Sequence, residues 1–159
     1  MSSVQEASAR NSQVAIVTGA SRGIGLELAK RLSENGYRVV ANSRKMISAG
    51  TLQGTDDLKL VDGDIGTPES ADLVVRTAVQ EFGRIDLLVN NAGIFIPKPF
   101  TSYTSDDFRS MSETNLSGFF YVSQLAVAQM RRQKSGHVVN ITASIASSQS
   151  RDWRQVSPA

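Results

Sequence analysis

Apolar residues gather along the chain in five short, largely unbroken runs: Val14-Ala15-Ile16-Val17, Val39-Val40-Ala41, Leu58 to Val61, Ile85 to Val89 and Val138-Val139-Asn140-Ile141. Continuous rather than alternating apolarity is what a strand needs when both faces of its sheet are covered. Every gap between runs can hold a helix or a crossover, so the pattern predicts a parallel sheet in a doubly wound α/β domain.

The gaps carry helical spacing. After the first run, Ile24, Leu28, Ala29 and Leu32 fall on one predicted face before Gly36 supplies a stop. After the third, Thr67 can cap and Pro68 suits the first turn. A stripe of Ala71, Val74, Val75, Ala78 and Phe82 then ends at Gly83. A longer helix is predicted from about Glu113 to Arg132, with Leu116, Phe119, Phe120, Ser123, Val127 and Met130 in register. Gly50 and Gly54 argue against a long helix between Met46 and Asp57. This divides the chain into a disordered leader at 1–12, a domain at 13–146 and an irregular tail at 147–159.

Composition narrows the chemistry. The 159 residues suffice for one core, and the absence of cysteine removes thiolate mechanisms and Cys-based zinc sites. No metal site is expected, and His137 reads as the residue that leads into the fifth strand. The net charge of +2 comes from scattered cations, so no nucleic-acid partner is expected. No apolar run approaches the roughly 18 residues of a membrane span, and the first residues lack the apolar centre of a secretory signal. The expectation is a cytoplasmic protein without a membrane partner.

The most informative segment follows the first run: Thr18-Gly19-Ala20-Ser21-Arg22-Gly23-Ile24-Gly25. Glycine-rich turns between a buried strand and a helix let a backbone approach a diphosphate, which the unpaired N–H groups of the helix then meet. Gly19 suits the sharp exit from the strand, Gly23 the close approach, and Gly25 tight helix packing. A turn selected for packing alone is the alternative. At the end of the second strand a NAD site would carry Asp or Glu, whereas this chain has Asn42, Ser43, Arg44 and Lys45. With Arg22, these cations predict NADP rather than NAD, a guanidinium being suited to a 2′-phosphate. A solvated basic turn is the competing reading.

Taken together, TGASRGIG at 18–25, NNAG at 90–93, Asn115 before a long helix and GHVVNIT at 136–142 resemble the classical short-chain dehydrogenase/reductase family over about residues 13–146. The resemblance implies a Rossmann-like sheet, here about five strands in the order 3-2-1-4-5 where the family has seven. It implies hydride transfer between a nicotinamide and an alcohol or carbonyl carbon. Asp64 and Ile65 match the adenine-contacting pair, with a turn-forming role for Asp64 as the alternative. Asn91, Ala92 and Gly93 match the segment beneath the nicotinamide ribose, and Asn90 suits a strand-ending turn. Asn115 matches the asparagine that bends its helix and anchors a water of the proton relay.

The family's tyrosine, with a lysine four residues later, has no counterpart. Tyr37, Tyr103 and Tyr121 are followed at that spacing by Ala41, Asp107 and Leu125. The catalytic serine position holds Ala143. Ser144 beside it is the candidate, against the alternative of an exposed loop serine. The preferred reading is an NADP-linked short-chain oxidoreductase, truncated before its catalytic pair and weakly active or inactive alone. The alternatives are a non-catalytic dinucleotide- or partner-binding module and a non-functional fragment. The implied partners are a small carbonyl or alcohol substrate if the chain is active, and a second copy meeting the helix at 113–132 or the fifth strand's edge.

Overall fold

The computed structural model describes residues 13–142. Five parallel strands form one sheet: β1 (Val14–Thr18), β2 (Arg38–Ser43), β3 (Leu58–Asp62), β4 (Leu87–Asn90) and β5 (His137–Asn140). Their order is β3-β2-β1-β4-β5, as the family resemblance implies. β1 lies in the middle and is wholly buried, so its apolar residues serve both faces. Val14 and Ile16 join one core cluster while Ala15 and Val17 join the other, which is the two-residue period of a strand.

Among the described residues four α-helices flank the sheet: α1 (Gly23–Glu34), α2 (Pro68–Phe82), α3 (Ser105–Ser112) and α4 (Gly118–Gln133). α2 and α4 cover one face through Ala71, Val74, Ala78, Val122, Ala126 and Met130. α1 covers the other through Ala29, with Leu28 and Leu32 packed at its margin. α2 has the expected ends: Thr67 accepts from Ser70 N at 3.3 Å, Pro68 opens the helix, and Gly83 closes it at φ +80°.

Three expectations change. Ile24 is 61% exposed and so lies off the packed face of α1. The long helix does not run evenly from Glu113: α3 begins at Ser105, and a π-helical turn at Glu113–Ser117 joins it to α4. That extra residue rotates the later positions, and the buried stripe becomes Gly118, Val122, Ala126 and Met130. Leu116, Phe119, Phe120 and Val127 are exposed, whereas Met130 is buried. The start of α3 is set by a capping box that the apolar pattern does not show. Thr104 accepts from Asp107 N at 3.2 Å, and Asp107 accepts from Thr104 N at 2.7 Å.

Asp86, inside the fourth apolar run yet 6% exposed, is a structural carboxylate. It accepts from Val14 N at 2.8 Å and from both arms of Arg84, tying the start of β1 to the approach to β4. Its charge in turn raises the Arg84 pKa through hydrogen bonding against the cost of burial. The run therefore becomes a strand only from Leu87.

Candidate functional site

In an open parallel sheet the loops at the carboxyl ends of the strands diverge where the chain order reverses, leaving a crevice. Here that point lies beside β1, between β2 and β4. A cleft of about 760 Å³ opens there. Gly19, Ser21, Arg22, Gly23 and Ile24 line it from the first loop, Ser43, Arg44 and Lys45 from the second, Asp64 and Ile65 from the third, and Asn91, Ala92 and Gly93 from the fourth. The structure thus brings together every sequence-predicted cofactor residue except Gly25, which is buried beneath them.

The three glycines differ in physical role. Gly19 has φ +67°, and a Cβ there would stand 2.8 Å from Ala92 Cα. Gly25 has no room for a Cβ either, which would meet Gly19 O at 2.5 Å and the Asn91 amide. Packing alone explains both. At Gly23, with φ +58°, a Cβ would meet nothing within 4 Å, so only its backbone conformation demands glycine and the space above it is open.

The start of α1 differs from those of α2 and α3. Arg22 occupies its N-cap in an extended conformation, forms no side-chain cap, and no acidic residue lies in the first turn. α2 and α3 both have side-chain caps and acidic first turns. The first N–H groups of α1 are thus left with their partial positive charge facing the cleft.

The opposite wall is fixed by a compact network. Thr18 Oγ1 accepts from Asn91 N at 3.1 Å and Ala92 N at 3.0 Å, while Asn91 Nδ2 donates to Thr18 O at 2.9 Å and Gly19 O at 3.2 Å. These bonds lock the ends of β1 and β4 together. Asn115, in the π turn, accepts from Ile94 N at 2.8 Å and donates to Ile94 O at 2.9 Å, holding the exit from Gly93. The π turn is the distortion the resemblance leads one to expect at Asn115. Asn90 does more than end a strand: its amide donates to Ser123 Oγ and Asn140 Oδ1, both at 2.9 Å, linking β4 with α4 and β5. A second cavity of about 260 Å³ lies here, lined by Thr18, Asn90, Asn115, Phe119, Asn140 and Thr142 among others. Ser144 falls outside the described residues.

Asp64 keeps the turn role named as its alternative. Its carboxylate accepts from Gly66 N at 2.9 Å and its carbonyl from Thr67 N at 3.0 Å, yet it also lines the cleft. On the rim, Arg22, Arg44 and Lys45 form no ion pair among the described residues. Beneath them, Asn42 Oδ1 and Ser43 Oγ are buried without a hydrogen-bond partner among those residues. Sequence reasoning missed Gly63, Ile94 and Thr114 in the lining and gave Asn42 no role of its own. Their signal was position, each lying within two residues of a motif already singled out.

Open space over Gly23, and N–H groups at α1 and rim cations that have no partner among the described residues, are the donor set that a phosphorylated ligand requires. The cleft volume falls in the range of cofactor sites, about 300–1,000 Å³. The residues present fit a dinucleotide phosphate group. Among the described residues no cluster of three or more metal-ligating side chains occurs, and no helix is long and apolar enough to cross a membrane.

Comparison with known proteins agrees with this geometry. A family model described as short chain dehydrogenase matches residues 13–156. An uncharacterized oxidoreductase of Staphylococcus saprophyticus is 36% identical over 134 residues, covering 82% of this chain and 54% of its own. The ligand-free aldohexose dehydrogenase of Thermoplasma acidophilum superimposes with a TM-score of 0.74 at 30% identity, over 86% of this chain and 51% of that one. A 3-ketoacyl-(acyl-carrier-protein) reductase of Brucella melitensis complexed with NADH gives a TM-score of 0.77 at 27% identity, over 84% and 58%. The chain spans about half the length of the curated relatives it matches.

Proposed function

The chain belongs to the short chain dehydrogenase family, and we propose that its cleft binds a nicotinamide dinucleotide, with NADP preferred over NAD. The observation that carries this reading is the uncapped start of α1 beneath a glycine loop whose open face meets three cations that form no ion pair among the described residues. A turn built for packing alone needs Gly19 and Gly25. It does not need an uncapped helix or the open space at Gly23.

In this reading the loop N–H groups of α1 take the diphosphate, and Arg22 adds charge beside them. Arg44, with Ser43 and Lys45, takes the 2′-phosphate, and Asp64 with Ile65 borders the adenine. Asn91 to Gly93 form the floor under the nicotinamide ribose, held by Thr18 and Asn115. The cofactor, when bound, supplies hydride transfer to or from a carbon bearing oxygen. NADH is present in the Brucella reductase complex, which makes NAD the natural competitor in any titration.

Turnover also needs an acid or base at the substrate oxygen. Tyr37 packs against the second core cluster, Tyr121 against the first, and Tyr103 donates to Ile96 O. None of the three lines either cavity. An unperturbed phenol near pKa 10 also needs a neighbouring cation to work at neutral pH. We therefore propose that the chain alone binds cofactor and turns over carbonyl or alcohol substrates weakly or not at all, with Asn115 and Ser144 as its candidate catalytic-site residues.

Fluorescence titration with NADPH and NADH tests the binding. NADPH should bind at least about fivefold tighter, and should raise the melting temperature at concentrations well above its Kd. Absence of binding by both overturns the function, and tighter NADH binding overturns the NADP preference.

A further inference from the structure

The cations at the end of β2 sit on a segment that has no regular secondary structure, yet it is pinned at three points. Residues 44–52 follow β2, and Arg44 and Lys45 at the start of the segment line the cleft. Met46 is 0% exposed and is inserted into the core cluster formed with Ala15, Val17 and Ala41. Thr51 Oγ1 donates to Ser21 O at 3.2 Å, attaching the segment to the glycine loop. Between them, Ile47 N donates to Asp62 Oδ1 at 2.8 Å.

The third pin has a specific effect. Lys45 O accepts from Ala49 N at 3.1 Å, so residues 45–49 form a single helical turn whose leading N–H groups lack partners within the turn. Asp62 is the last residue of β3 and stands opposite Ser43 in the parallel register. Its carboxylate reaches across to cap that turn from the neighbouring strand, as an N-cap side chain does from its own chain. Arg44 and Lys45 are thereby held between a strand-bound Ser43 and a capped Ile47. Both are exposed and lack a carboxylate partner among the described residues, so the backbone is what orients them.

Resting on the NADP reading above, we propose that Asp62 is a positioning residue for 2′-phosphate recognition: its carboxylate caps the turn at Ile47 and so fixes the Arg44–Lys45 pair over the cleft. Its negative charge opposes the phosphate it helps to recognise, and its acceptor oxygen is what the site uses. These two effects have opposite signs and can be separated by substitution. Asp62→Asn keeps an acceptor and removes the charge. Asp62→Ala removes both.

The test is the ratio of Kd for NADH to Kd for NADPH, measured by fluorescence titration on the full chain and the two variants. Melting temperature and circular dichroism are recorded beside it. Asp62→Ala should reduce the ratio by about five- to tenfold while NADH affinity changes less than about twofold, because only the phosphate contacts depend on the turn. Asp62→Asn should restore the wild-type ratio or exceed it. An unchanged ratio in Asp62→Ala overturns the proposal, as does equal weakening of both cofactors. An Asp62→Asn variant that behaves like Asp62→Ala also overturns it, since the charge rather than the cap would then matter. If Asp62→Ala fails to fold, Asp62→Ser, whose hydroxyl lies one bond closer to its own backbone, takes its place in the same comparison. A wild-type chain that binds both cofactors equally overturns the NADP reading and the positioning role with it. A wild-type preference that survives in Asp62→Ala overturns the positioning role alone.

Discussion

Arg44 is exposed and makes no ion pair within the described residues, so replacing it removes no structural contact and reads out ligand binding directly. Arg44→Glu should weaken NADPH by at least about tenfold, since a bidentate cation is exchanged for a repelling carboxylate. NADH, which lacks the 2′-phosphate, should change by less than about threefold. Equal losses in parallel titrations would show that Arg44 acts on the shared diphosphate or on the fold. Residues of this kind are legible in a sequence because their chemistry is in their type: cations where a carboxylate is expected. Asn42, whose side-chain oxygen is buried without a partner among the described residues while its amide donates to Val61 O and Gly63 O, is not legible in this way. An asparagine at a strand end reads as a turn former, and only the neighbouring strand reveals what it holds.

At the scale of elements, strands were easier to read than helices. A buried parallel strand needs only an apolar run, and all five runs became strands with ends shifted by a residue or two. Helix faces depend on phase, and the π turn at Glu113–Ser117 shifts the phase in a way that no periodicity over Leu116 to Met130 can reveal. Ile24 fails for a related reason. It lies at the mouth of α1, where the helix faces the cleft rather than the sheet. The start of α3 rests on polar bonding alone. Lys98 and Thr104 hydrogen bonds hold the Asp107 carboxyl down to about 2, below its ordinary 3.8. Since the folded value is the lower one, the charged cap stabilises α3 fully above about pH 4, and this contribution fades as pH falls from about 4 toward 2. In carboxyl-detected NMR, Asp107 should titrate near pH 2. Thr104→Ala should move it up toward 3.8, and amide protection in α3 should fall in the same window. A wild-type midpoint near 3.8 would remove the cap from the account of this helix.

For the whole molecule, the sheet is asymmetric in how well it is covered. β1 is buried throughout, while all four residues of β5 are exposed at the edge of the described sheet. Val138 and Val139 are 36% and 42% exposed, so neither face of the strand is well covered, and Phe119 and Phe120 of α4 stand at 41% and 52%. Within the described residues no strand lies on the outer side of β5, and an apolar edge strand is a template for another strand. We propose that it pairs with a second copy of the chain, since two identical edges offer mutually complementary hydrogen-bonding groups. Light scattering across a concentration series should then show a mass rising above that of the 17.1 kDa monomer. Val139→Lys should lower that mass toward the monomer, because a lysine on an edge strand opposes edge-to-edge pairing. The cleft is lined by the loops that follow β1, β2, β3 and β4 and by no residue of β5, so the same variant should keep NADPH affinity within about twofold. A variant that stays associated would place the contact on the exposed face of α4 instead, where Phe120→Glu provides the corresponding measurement. If both variants lose NADPH binding together with association, the edge and the cleft are one cooperative unit rather than independent sites.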